Sequence, residues 1–140
     1  MRFAAVISDL DGVLVDSAAA TSRAWAAWGA RHGIDGAAMQ AVNHGRPARD
    51  VVAEHVPAQA LDAEAAFLLD AEVSDTRGVI ALPGAAGVLA LPVVAIATSC
   101  TLTLARARLA GSPICSTASD ALSVCDRPPG ARAGSRRSRS

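Results

Sequence analysis

The chain has 140 residues with 13 basic and 13 acidic side chains, a formal charge of zero that argues against a nucleic-acid-binding body. At 51% apolar it can bury one sizeable core, and no apolar run approaches the length of a membrane span. Every basic residue is Arg, which points to a GC-rich gene, and the three cysteines lack C-x-x-C spacing, so neither a disulfide framework nor a zinc site is expected.

The run Phe3 to Ile7 is short, apolar and partly β-branched, which predicts a buried strand. It is too short for a secretory leader and meets Asp9 at once, so a cytoplasmic setting is expected. Asp9 and Asp11 leave the carboxyl end of this strand, and Gly12 allows the chain to turn away. That edge of an open parallel sheet is where ligands bind. Two carboxylates there can hold a divalent cation, with one serving as nucleophile and the other carrying a proton. The competing reading is a solvated turn.

Asp16 or Ser17 is placed to cap a helix over Ala18 to His32, with Gly33 as its stop. Trp25 and Trp28 share one face of it and are read as packing residues. A second helix is predicted from near Pro47, with Val51 and Val52 inward, ending before Pro57. A third runs from about Asp62 to Glu72 and buries Ala65, Leu68 and Leu69. The core resumes at Pro83-Gly84 with a short helix through Val88 to Leu91, then a strand from Val93 to Ala97. Thr98 and Ser99 end that strand, and as hydroxyl residues they are candidate caps of the next helix. This helix, Leu102 to Leu109, is expected to carry Arg106 and Arg108 on its outer side. A weaker third strand is predicted over Ile114 to Ala118. The alternation of strand and helix predicts a parallel sheet with right-handed crossovers.

The stretch Asp9-Leu10-Asp11-Gly12-Val13-Leu14-Val15-Asp16-Ser17 resembles the first motif of the haloacid dehalogenase superfamily, most of whose members are phosphatases. Four later stretches resemble that family in the expected order. His44-Gly45-Arg46-Pro47-Ala48-Arg49-Asp50 is similar to the cap segment of sugar- and polyol-phosphate phosphatases, and Leu82-Pro83-Gly84-Ala85 to the re-entry from cap to core. Ala95-Ile96-Ala97-Thr98-Ser99 resembles the second motif, and Thr117-Ala118-Ser119-Asp120 the approach to the third.

The resemblance implies an α/β fold with a Rossmann-like parallel core, incomplete here, and an inserted helical cap. The segments would be core over 1–17, cap over 18–82, core again over 83–125 and a basic tail over 126–140. It implies a magnesium-dependent phosphatase acting on a small phosphorylated sugar or polyol through an aspartyl-phosphate. Asp9 would be the nucleophile, Asp11 the proton carrier, and magnesium would bridge Asp9, the Asp11 carbonyl and the phosphoryl oxygens. Thr98 and Ser99 would hold the phosphoryl group. Gly45, Arg46 and Arg49 would meet the substrate from the cap, Arg supplying donors in a rigid fork. The alternative for the two arginines is a solvated pairing with Asp50 or Glu54. His44 is read as structural. A phosphomutase, which shares Asp9 and Asp11, stays open, and so does a catalytically impaired fragment. Neither a nucleic-acid nor a membrane partner is expected, and no oligomeric state is implied.

After Asp120 the family pattern breaks. A Gly-Lys-Pro-like motif and a later acidic strand are expected, yet the chain contains no Lys, and Asp126 is its last carboxylate side chain. Arg127-Pro128 is the nearest approximation, and from Pro128 onward only Pro, Gly, Ala, Arg and Ser occur, a composition that predicts disorder. A basic tail of this kind is one that could bind a nucleic acid or a membrane surface, but a break in mid-motif points instead to a frameshift or premature stop, which would leave an open sheet edge and an uncovered apolar face.

Overall fold

The computed structural model describes residues 5–112 together with Ile114. Predictions for the start of the first strand, the strand over 114–118 beyond Ile114, the segment 117–120, Arg127-Pro128 and the tail lie outside them. Among the described residues the fold is α/β: a small parallel sheet with helices, and a separate helical layer inserted into it.

Strand β1 (Val6–Ser8) pairs in parallel with β4 (Val94–Ile96), in the register Val6↔Val94, Ile7↔Ala95 and Ser8↔Ile96. A parallel pair needs a long crossover, and here the whole helical layer lies within it. Leu10, Leu14, Val15 and Ile96 are buried together with Leu89 of α5 (Ala85–Leu89) and Leu109 of α6 (Leu102–Ala110). Ile7 and Val93 are 76% and 55% exposed, so among the described residues their face of the pair is largely uncovered.

A second pairing had no signal in the sequence. Strands β2 (Val15–Asp16) and β3 (Ile80–Ala81) run antiparallel and match Val15 to Ala81 and Asp16 to Ile80. The Leu82 N–H extends the ladder by donating to the Leu14 carbonyl at 2.9 Å. One strand precedes the helical layer and the other follows it, so the layer leaves and rejoins the core through one short clasp.

Helix α1 (Ala18–His32) has the bounds that the sequence predicts, and its C-cap Gly33 is left-handed at φ 65°. Asp16 accepts from the Ala18 N–H at 3.0 Å and so anchors its first turn, whereas the Ser17 hydroxyl is used elsewhere. Helix α2 (Gly36–Val42) was not foreseen. Its Asp35 cap accepts from the Ala38 N–H at 3.0 Å, and it crosses α1 where Gly29 meets Gly36. A Cβ on Gly36 would lie 1.8 Å from the Trp25 carbonyl oxygen, so only glycine permits this approach. Helices α3 (Ala48–Ala53) and α4 (Leu61–Ser74) follow, joined by a 3-10 turn over Ala58–Ala60. Trp25, Trp28, Val51, Val52 and Leu68 form the apolar centre of the layer, and the indoles meet edge-on at 5.8 Å. Leu68 is buried as predicted, while Ala65 and Leu69 are only half-buried.

Two expectations are corrected. Thr101, not Thr98 or Ser99, caps α6, accepting from the Leu104 N–H at 3.3 Å. Arg106 is exposed, but Arg108 is 6% exposed and faces inward. It lies one turn beyond Leu104 on the stripe that buries Leu104, Ala105 and Leu109, and acidic partners there offset the cost of burying its charge.

Candidate active site

The loop after β1 is pegged by two leucines. Leu10 and Leu14 are 0% and 1% exposed, and the Leu14 and Val15 N–H groups both donate to the Leu10 carbonyl. Gly12, at φ 74°, makes the reversal between them. With Leu10 inward, Asp9 and Asp11 on either side of it are left at the carboxyl edge of the sheet.

Asp9 is exposed, and its Oδ1 accepts from the Leu10 N–H at 2.7 Å. That bond fixes the carboxylate and leaves Oδ2 without a protein donor among the described residues. Asp11 is held more fully. Its Oδ1 accepts from the Ser17 hydroxyl at 2.7 Å, and its Oδ2 is paired with Nη1 of Arg108. The Nη2 of Arg108 donates to Thr21 at 2.9 Å and to Glu72 at 3.1 Å. Burial pushes the Glu72 carboxyl above its ordinary range, against the pull of Arg108 and with the push of Asp11.

Thr98 follows β4 and so stands at the same edge as Asp9. Its hydroxyl accepts from the Cys100 N–H at 3.3 Å and reaches the Cys100 sulfur at 3.3 Å. Ser99 is exposed. Burial raises the Cys100 thiol, which keeps it protonated near neutral pH and unsuited to act as a thiolate.

One cavity of about 420 Å³ lies between this edge and the helical layer. Asp9, Asp11, Thr98 and Ser99 line it from the core, and Gly45, Arg46 and Arg49 from the helices, so it brings together all seven residues singled out in the sequence. Both cap arginines carry partners. Arg46 donates to Asn43 at 2.6 Å and pairs with Glu54, which raises the guanidinium and lowers the carboxyl, while Arg49 pairs with Asp62. All four side chains are solvated, and exposed pairs of this kind contribute little to stability. His44 also lines the cavity and is exposed.

The donors near Asp9 are hard oxygens, the chemistry that magnesium takes. Among the described residues no three His, Cys, Asp or Glu side chains converge on a metal position. The fit therefore rests on one carboxylate, Asp9, and on the backbone carbonyl of Asp11, whose side chain is occupied by Ser17 and Arg108.

Sequence reasoning missed Arg108, Glu72 and Thr21 as residues of this site. The signal was present for two of them. Arg108 stands one turn from Leu104 and Glu72 one turn from Leu68, so both are charged residues on a buried stripe.

Hexitol phosphatase A of Escherichia coli (strain K12) is 37% identical to this chain over 124 residues, which is 81% of the chain. The chain spans 57% of the length of that relative. No protein-family model and no solved structure matches the chain. No helix among the described residues is long and apolar enough to cross a membrane.

Proposed function

We propose that this chain carries the catalytic motifs of a haloacid dehalogenase-type phosphatase acting on a small phosphorylated sugar or polyol. The observation behind this reading is the meeting of Asp9, Asp11 and Thr98 at one edge of a parallel pair, under a cavity roofed by helices. Similarity to a hexitol phosphatase supports a hexitol phosphate as the substrate class. Residues 18–82 act as the cap, and 1–17 with 83–125 as the core.

Asp9 attacks phosphorus through a carboxylate oxygen while the bond from phosphorus to the substrate oxygen breaks, giving an aspartyl-phosphate. Asp11 protonates the departing oxygen. It then takes a proton from the water that attacks the aspartyl-phosphate, releasing inorganic phosphate and restoring Asp9. Thr98 and the Ser99 N–H hold the phosphoryl oxygens in line for both displacements. Gly45, Arg46 and Arg49 bind the remainder of the substrate from the cap. A magnesium ion held by the Asp9 carboxylate and the Asp11 carbonyl would offset the repulsion between anionic nucleophile and phosphate.

Magnesium-dependent release of phosphate from an aryl phosphate and from hexitol phosphates tests this reading. Asp9→Asn abolishes the release, and Asp11→Asn cuts turnover by about two to four orders of magnitude. Either variant retaining more than about a tenth of wild-type turnover contradicts the mechanism. One observation favours a second reading, a catalytically impaired chain: the Asp11 carboxylate is already engaged on both oxygens. A wild-type chain that releases no phosphate from these esters under saturating magnesium supports that reading.

A further inference from the structure

Arg108 is the group in the cavity wall that the proposed chemistry leaves without a task. Its side chain is 7% exposed, its Nη1 meets Asp11 on the loop after β1, and its Nη2 meets Glu72 on α4 and Thr21 on α1. Asp11 belongs to the core, whereas Glu72 and Thr21 belong to the helical layer. We propose that Arg108 is a positioning residue that sets the Asp11 side chain and ties that setting to the seating of the cap, with Glu72 as the cap's anchor. The proposal rests on the phosphatase reading for its catalytic consequence and on geometry alone for the linkage.

The guanidinium is planar and rigid, so fixing one edge orients the other. With Glu72 and Thr21 on Nη2, Nη1 is aimed at Asp11 Oδ2, while Ser17 holds Oδ1 from the opposite side. A cap that shifts on the core carries Glu72 and Thr21 with it and turns the guanidinium away from Asp11. An ammonium in place of the guanidinium would supply the charge as a point and lose the coupling between the two edges. Arg108 is thus able to report cap position to the proton carrier without touching substrate.

The linkage is tested in the full chain, first without any assay of activity. The Asp11 carboxyl carbon, labelled in aspartate and assigned by its loss in Asp11→Asn, is followed by NMR in Glu72→Ala and Glu72→Gln. Both variants remove the charge, but only Ala removes the acceptor at position 72, leaving Thr21 alone to hold Nη2. The expected result is a clear displacement of the Asp11 resonance in Ala beyond that in Gln; equal positions in the two variants overturn the proposal. Where wild-type turnover is measurable, Arg108→Ala and Arg108→Lys each lower kcat by about a hundredfold, the scale of a misplaced reacting group, with KM for an aryl phosphate little changed. Combining Arg108→Ala with Asp11→Asn lowers kcat no further than Asp11→Asn alone. Fully multiplicative losses, or a rise in kcat on removing Arg108, overturn the positioning role. A wild type without turnover defeats the phosphatase reading and leaves the NMR comparison to decide the linkage.

Discussion

At the scale of single residues, the sharpest constraints are an absent side chain and an over-bonded carboxylate. Gly36 faces the Trp25 carbonyl so closely that an added methyl group must drive α1 and α2 apart. Gly36→Ala is expected to cost about 1–3 kcal/mol, the usual scale of overpacking, measured as a lower urea midpoint at unchanged slope. Asp75 accepts from Arg23 and Arg77, with Nε distances of 2.8 Å to each, and these bonds hold its carboxyl well below the usual carboxylate range. Its folded form therefore resists protonation more than its unfolded form. The associated stability is present above the ordinary aspartate value near 4 and is lost as pH falls below it. Asp75→Asn should flatten the acid limb of a plot of Tm against pH, and high salt should shrink the difference because the cluster is solvated. An unchanged acid limb would show that Asp75 contributes nothing to it.

At the scale of elements, α1 and α6 show what can and cannot be read from spacing. Trp28 on α1 is fully buried, touching Trp25 edge-on and lying tilted against His32 with ring centres 4.6 Å apart. Trp28→Ala should cost about 3–5 kcal/mol in chemical denaturation, and a loss below about 1 kcal/mol would mean the helical layer repacks around the gap. Removing the cap of α6 with Thr101→Ala should cost about 1 kcal/mol and loosen the turn that leads to Arg108. Helix α1 was legible because its apolar face, its anchoring carboxylate and its glycine stop agree. Helix α2 was not, because seven residues beginning with glycine carry no stripe and owe their helix to the crossing with α1. Strands β2 and β3, at two residues each, are shorter than any alternation. Arg108 was misread because its charge was weighed above its phase. The helical period places it with Leu104 and Ala105, and only the fold reveals the acids that wait there. The carboxylates, Thr98 and the cap arginines were legible as residue types at motif spacing, and so was the pairing of Arg46 with Glu54; the pairs of Arg49 with Asp62 and of Asp11 with Arg108 were not.

At the scale of the whole molecule, two apolar centres, one in the core and one in the helical layer, share the cavity between them. Metal affinity belongs to this scale, since its ligands come from whatever elements converge on Asp9. With the one carboxylate and one carbonyl that the proposed site offers among the described residues, magnesium alone should bind at about millimolar affinity or worse, tighter only when phosphate is present. Calorimetric titration with and without inorganic phosphate checks this, and micromolar binding without phosphate would require further ligands. The clasp of β2 and β3 has a wider consequence. It brings the two ends of a long insertion within one backbone hydrogen bond of each other, so the entry and exit of the insertion lie side by side. A helical layer of different length or chemistry exchanged between Asp16 and Ile80 would accordingly have to carry counterparts of Ser17, Thr21 and Glu72, because these residues hold Asp11 and Arg108 in place.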